Sequence, residues 1–342
     1  MYGELYTHYS EKISNTRLHS KLLLHSIFSA GNEVVLPDSG ETSTDIARAS
    51  WISNSGIILA GGLIIIKPNE YIFPGFLAYS LTYGKNHKLL ASRAQGKSIV
   101  HIHANDLKTL NIIYPENLKE QQRIFALLEK LNKCIALQQR KLKLLKEIRK
   151  GIVENIRDNN FEYKEQKNDF KDVKIKDMFK ITRGKVLPKE KISSNKISPN
   201  IYPVFSSQTL NNGLLGFYKD YLFQNAITWT TDGANAGTVN FRNEKFYSTN
   251  VNGVLLQKKI KPDLLTADLL NLVAFKYVSK VGNPKLMNNT MANIRIKIPS
   301  NTNARIFYSK ILNKYDTKID FINKKIDYLT TFKRFLLQNM FI

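Results

Sequence analysis

One cysteine, Cys134, stands among 342 residues. That excludes an internal disulfide, and no Cys/His cluster offers a zinc framework, so a reducing cytoplasm is the expected setting. Long apolar runs are missing as well. Ile57–Ile66 is the longest, about ten residues interrupted by Gly61 and Gly62, too short to span a bilayer and readable as buried strand. The opening residues MYGELYTHYS fit neither a signal nor a transit peptide. Acidic residues are scarce: 28 Asp and Glu face 51 Lys and Arg, a net charge of +23. Such an excess points to a polyanion, with nucleic acid ahead of a membrane surface because no basic amphipathic anchor stands alone. Hydrophobic content of 43% and charged content of 23% are those of a folded chain.

Catalytic signatures are lacking too. No Ser/His/Asp set with a nucleophile elbow occurs, and no Gly-x-Gly-x-x-Gly marks a dinucleotide site. Nor does an Asn-Pro-Pro-Tyr-like tetrapeptide for base amino-methylation, or an acidic cluster for metal-dependent phosphodiester cleavage. Gln95-Gly96-Lys97-Ser98 resembles the end of a phosphate-binding loop, but the spacing requires Gly where Ala91 stands, and strand-like residues follow. Nucleotide binding is rejected, and Gly-Lys-Ser is kept as a DNA-phosphate contact. His101 and His103 lie two apart on a predicted strand without a third metal ligand. No catalysis and no metal are expected of this chain.

What is present is a repeat. In Glu120–Ile156 apolar residues fall at Ile124, Leu128, Leu131, Ile135, Leu142, Leu145, Ile148, Ile152 and Ile156, a single stripe on a helix roughly 55 Å long. Moved by 184 residues, these positions become Tyr308, Leu312, Tyr315, Ile319, Ile326, Leu329, Phe332, Leu336 and Met340, while Pro115 becomes Pro299. Two such helices are expected to pack on each other as a coiled-coil-like pair. Upstream, a shift of 194 places Asp38 on Asp232, Lys67-Pro68 on Lys261-Pro262 and Tyr83 on Tyr277. The first copy therefore carries about ten extra residues, assigned to a loop at Gly84–Ala94. By the same shift the first copy is expected to lack its N-terminal opening.

Each copy reads as a mixed α/β unit followed by a long helix, an α+β chain overall. Predicted strands are Val34–Leu36, Ile57–Leu59, Leu63–Ile66 and Leu107–Tyr114 in the first unit. In the second they are Val173–Ile181, Ala226–Thr231, Thr238–Phe241, Val254–Gln257 and Ile294–Ile298. Helices are predicted over Pro74–Tyr83, Thr266–Tyr277 and Asn303–Met340. The expected divisions are a first unit at 1–115, a helix at 116–157, a linker at 158–170, a second unit at 171–299 and a second helix at 300–342.

Thr228–Leu255 and Tyr202–Phe217 resemble a target recognition domain of the specificity subunits of type I restriction–modification systems. Leu36–Ala49 (LPDSGETSTDIARA) and Ala60–Pro68 (AGGLIIIKP) resemble another. Ala94–Pro115 followed by Glu120-Gln121-Gln122-Arg123-Ile124 resembles the family's passage from recognition domain to conserved helix. The likeness covers nearly all of the chain. It implies a non-catalytic reader of double-stranded DNA, with one recognition domain for each half of a bipartite, asymmetric target and two long helices, packed as an antiparallel coiled-coil-like pair, that set the spacing. Two modification (methyltransferase) subunits would dock on the helices, and restriction subunits would add translocation and cleavage. S-adenosylmethionine, ATP and Mg are expected on those partners and no cofactor on this chain. Family members open upstream of Tyr2–Ser10, so an inactive, truncated subunit stays open, as does a structural coiled-coil adaptor with protein-binding units.

DNA-contacting candidates follow from polarity and loop placement. In the first unit they are Ser39, Glu41, Arg48, Arg93, Gln95 and Lys97. In the second they are Arg183, Lys185, Ser206, Ser207, Gln208, Thr231, Asn235, Asn250 and Lys285.

Overall fold

A computed structural model describes residues 4–17, 19, 26–59, 61–163, 166–167, 169–207 and 210–341. The chain divides into two compact units, one from Met1–Lys141 with Ile322–Ile342, the other from Leu142–Phe321.

In the first unit, β1 (Lys12–Ile13), β2 (Val34–Pro37), β3 (Ser50–Ile52) and β4 (Leu63–Ile66) form a sheet in the order β1-β3-β2-β4. Only β1 and β3 run parallel. Val34, Val35 and Leu36 are fully buried, because β2 is central and covered on both faces. Helix α1 (Pro74–Thr82) opens with proline at its first position, where the missing N–H costs nothing, and packs on this sheet. The ten extra residues are not a loop but a second helix, α2 (Gly84–Arg93). Gly84, at φ +70°, breaks α1 from α2; a Cβ there would collide with the Phe341 carbonyl, so only glycine fits. Leu90 anchors α2 in the core.

The second unit holds a six-stranded sheet. Its strands are β5 (Phe179–Arg183), β6 (Tyr202–Phe205), β7 (Leu214–Tyr218), β8 (Phe223–Thr230), β9 (Val239–Ser248) and β10 (Asn252–Gln257), in the order β5-β10-β8-β9-β6-β7. All neighbours are antiparallel except β6 and β9. Trp229 is almost fully buried, and its indole N–H donates to the Leu286 carbonyl at 2.9 Å. Gly253 lies under the Trp229 ring, where a Cβ would come within 2.1 Å.

Two predicted strands are corrected. Val173–Ile181 breaks into a strand at Phe170–Lys174, a helical turn at Ile175–Met178 and β5. Ile175 and Met178 are both buried, a spacing that a turn of helix serves and a strand does not. Phe170–Lys174 pairs antiparallel with Arg295–Pro299. The repeat counterpart of that second strand, within Leu107–Tyr114, has no pairing partner among the described residues and no strand forms there. The 158–170 segment carries a short antiparallel strand pair, Glu162–Tyr163 with Gln166–Lys167.

The long helices are α3 (Leu118–Arg157) and α5 (Thr302–Met340), with α4 (Leu264–Ala274) between them in the chain. Each long helix starts in one unit and ends in the other. In the first unit, Phe125 and Leu128 of α3 share a cluster with Leu337 of α5, Phe341, and Phe76 and Tyr79 of α1. In the second, Val153 and Ile156 of α3 pack with Tyr308 and Leu312 of α5. The start of one helix meets the end of the other in both, so the pair is antiparallel. The stripe residues are buried or half-buried except Ile148 and Phe332, a repeat-related pair at 39% and 38% exposure.

A matching device seats each long helix. Gln121, fully buried in the first turn of α3, donates to the Pro115 and Tyr71 carbonyls at 2.8 and 2.9 Å and accepts from the Phe73 N–H at 2.8 Å. Its counterpart in α5 is Arg305, 5% exposed, which donates to the Pro299 carbonyl at 3.1 Å and to Thr302 at 3.2 Å. Asp263 caps α4 by accepting from the Thr266 N–H at 2.7 Å and lies 3.5 Å from the Arg305 guanidinium.

Further along, Arg149 of α3 bonds both Asp268 of α4 and Asp316 of α5 at 2.8 Å. Burial pushes the Asp268 carboxyl up to about 6 against the pull of Arg149. A carboxyl raised in the fold favours folding most below its ordinary range, and that contribution fades as pH rises through 6. Arg149→Met removes the cation and leaves two carboxylates facing each other. The expected loss at pH 7 is on the order of 2 kcal/mol, the partial exposure of Asp316 reducing the larger cost of a buried pair. Urea unfolding should show part of it recovered at pH 5, as Asp268 takes up a proton.

Candidate DNA-reading site

In the second unit, backbone hydrogen bonds gather five loops at one place. The chain leaving β5 is held where the Gly184 N–H donates to the Asn252 carbonyl at 3.2 Å and the Lys185 N–H to Ser248 at 2.9 Å. Thr249, in the β9–β10 turn, donates its N–H to Phe205 at 3.0 Å and shares a 3.1 Å hydroxyl bond with Ser206 beyond β6. Thr231 after β8 joins that turn through Val251 (3.1 Å) and accepts from the Leu286 N–H at 2.9 Å. Arg183 donates its Nε–H to Asn288 at 3.2 Å.

Arg183, Lys185, Ser206, Asn250 and Lys285 thus belong to one loop cluster, with Lys185, Asn250 and Lys285 exposed. Ser207 follows Ser206 and is half-buried; Gln208 lies outside the described residues. Asn235 sits in the turn before β9, its carbonyl accepting from the Thr238 N–H at 3.1 Å. Thr231 faces inward: it is fully buried, and its hydroxyl donates to the Val251 carbonyl at 2.9 Å. Its role is to hold the loops.

The first unit builds a smaller version. Ser39 pairs with His101, and Gln95 and His101 exchange backbone bonds of 3.1 and 2.9 Å, which puts Lys97 and Ser98 at an exposed hairpin tip. Ser39 is 8% exposed and donates its hydroxyl to Asp38. Arg93 braces the hairpin by donating to the Asp106 carbonyl at 2.6 Å. Glu41 is exposed just beyond Ser39. Arg48 is instead tied to the Tyr6 carbonyl at 2.9 Å. His103 starts the helical turn Ala104–Leu107 as the cap of a capping box, so it does not continue a strand with His101; the two rings stack at 6.5 Å.

The hairpins are twins. The Gln95–His101 bridge recurs 184 residues later as Ser279–Lys285, and the helical turn after His103 recurs as Asn288–Asn293 after Met287. In both units the hairpin lies against the segment after a repeat-related aspartate: Ile102 N–H donates to the Asp38 carbonyl, and Lys285 bridges Asp232. Among the described residues no group of three or more His, Cys, Asp and Glu side chains could hold a metal.

The sequence reading did not name Arg242, on β9. Only 8% exposed, it lays its guanidinium 3.6 Å over the Phe205 ring, donates Nη2–H to the Asn212 carbonyl and directs Nε–H to Thr228 Oγ1 at 3.4 Å. Burial lowers its pKa to about 10, with Glu244 pulling the other way. A polar cavity of about 60 Å³ opens beside it, lined also by Ser206 of the loop cluster. Only a lone arginine within a strand could have signalled it in the sequence.

The family model of the type I restriction modification DNA specificity domain matches residues 31–147 and again 167–331. The chain belongs to that specificity family. A sequence named as the N-terminus of a putative type I specificity subunit of Mycoplasma pneumoniae is 45% identical over 134 residues, 38% of this chain and 70% of that sequence. Another putative type I specificity subunit of that organism is 41% identical over 130 residues, 37% of this chain and 34% of its own length. The crystal structure of a type I restriction–modification S subunit from M. genitalium matches with a TM-score of 0.70, covering 97% of this chain and 88% of that one at 15% identity, which shows a shared fold.

Within a specificity-family chain, exposed and inward-facing candidates should separate experimentally. Lys185→Gln and Asn250→Ala are expected to weaken DNA binding without moving the melting temperature. Thr231→Val should cost about 1 kcal/mol of stability by removing one buried side-chain hydrogen bond, while the Val251 carbonyl keeps the Thr231 N–H. DNA-binding titrations beside thermal melts check both.

Proposed function

We propose that this chain is the DNA-reading subunit of a type I restriction–modification complex, recognising a bipartite, asymmetric target through one loop cluster in each unit. The observation that carries this reading is the double family match: each interval takes in one hairpin site and ends inside a long helix. Two different loop sets, with Lys97 and Gln95 in one and Lys185, Asn250 and Lys285 in the other, suit two different half-sites. The net charge of +23 suits phosphate contacts, which position a protein on the duplex while base contacts specify sequence.

The chain reads and scaffolds, and the chemistry belongs to its partners. Leu127, Leu137 and Leu144 on α3 and Phe321, Tyr328 and Phe335 on α5 are exposed large apolar side chains, surface suited to helical modification subunits. S-adenosylmethionine, ATP and Mg would be held by the modification and restriction subunits.

Coexpression with modification subunits followed by methylome sequencing is the direct test. The expected outcome is adenine methylation at one split, asymmetric motif with both halves specified. Absence of any modified motif, with the complex assembled, defeats the reading. Binding of that target should also weaken steeply with salt, by about 0.9 logarithmic units per decade for each phosphate neutralised.

A further inference from the structure

A buried guanidinium without an ion-paired carboxylate is costly, and Arg242 is one: Glu244, exposed two residues along β9, attracts it without pairing. Among the described residues no carboxylate forms an ion pair with it, and none lines the cavity beside it. Its Nε and Nη2 are engaged by Thr228 and Asn212, while Nη1 has no hydrogen-bond partner among the described residues. The remaining lining is neutral and polar: Ser206, Thr230, Thr238, Asn240 and Asn252. Among the described residues, hydroxyl and amide groups around one fixed cation make an anion site whose lining supplies a positive charge and no negative one.

The cavity size selects the ligand. About 60 Å³ takes a few waters or the unesterified oxygens of one phosphate, and is too small for a base. An arginine that reads guanine must extend into a groove. Arg242 is 8% exposed and stacked on Phe205, so it meets only a group that projects inward. A backbone phosphate projects from the duplex in that way. Ser206 belongs both to this cavity and to the loop cluster, through its bond to Thr249.

We propose that Arg242 forms the floor of a single-phosphate pocket that takes one backbone phosphate of the bound DNA and registers the second unit's reading loops on the duplex. This rests on the DNA-reading function proposed above and names a positioning contact within it.

The test compares wild type, Arg242→Gln and Thr230→Val as full-length chains with their modification subunits, on target DNA over a range of salt. Thr230→Val keeps the shape of the wall while removing a hydroxyl, and so remains informative if Arg242→Gln fails to fold. Arg242→Gln is expected to weaken binding by roughly tenfold or more and to flatten the salt dependence by about 0.9, the share of one phosphate. Thr230→Val should weaken binding at an unchanged melting temperature. DNA with an uncharged methylphosphonate at one backbone position should reproduce the arginine loss on wild type and add nothing on Arg242→Gln.

Wild-type affinity and salt slope in the folded variants would overturn the pocket while leaving the DNA-reading function intact. If wild type binds no DNA, that function fails first, and inorganic phosphate decides the pocket. A saturable rise in melting temperature for wild type, lost in Thr230→Val, then supports a site for free phosphate; no rise overturns it.

Discussion

Each long helix is committed to its unit by one buried polar side chain in its first turn. Gln121 and Arg305 occupy the same position in the repeat and reach back to the same carbonyl, that of Pro115 or Pro299. A proline at the end of the preceding segment leaves a carbonyl that the helix cannot satisfy from its own backbone, and the buried amide or guanidinium satisfies it. The constraint is directional: it fixes how a helix of about forty residues sets out from the segment before it. The two solutions differ in charge. Gln121 is neutral and is satisfied by backbone groups alone, whereas Arg305 lies beside the Asp263 carboxylate at the start of α4.

The loop clusters follow from the same repeat. The hairpins at Gln95–His101 and Ser279–Lys285 are held by the same pair of backbone bonds, but their tips share no side chains: Gly96-Lys97-Ser98 in one, Lys280-Val281-Gly282 in the other. Backbone pairing conserves the frame and leaves the side chains at the tip free to differ. That arrangement suits the proposed reading of two unlike half-sites.

The helices were legible in the sequence because their stripe is local and long, and the structure extends each by only a few residues. Helix α2 was not: GKNHKLLASR buries little more than Asn86 and Leu90, too few positions to announce a period. Leu107–Tyr114 had strand-like residues, but a strand exists only with a partner, and pairing is not written in the segment itself. At the site, polarity found Lys185, Asn250 and Lys285, which are exposed, and also Thr231, whose polar atom serves the fold. Polarity alone cannot tell those cases apart. Arg242 was passed over for the converse reason: among Asn240, Asn243 and Glu244 it resembled surface, and its burial depends on Phe205 nearly forty residues away.

The membership of the first unit has a consequence for the order of events during synthesis. Leu337 and Phe341 complete the cluster built on Phe76, Tyr79, Phe125 and Leu128, yet they follow the whole second unit in the chain and so leave the ribosome after it. The second unit is one continuous stretch, Leu142–Phe321, so its core is available before the first unit can close. The nascent N-terminal part waits with an open aromatic cluster while the C-terminal part folds. A chain interrupted between Phe321 and Leu337 would keep an intact second unit and release a first one that is unfinished and sticky.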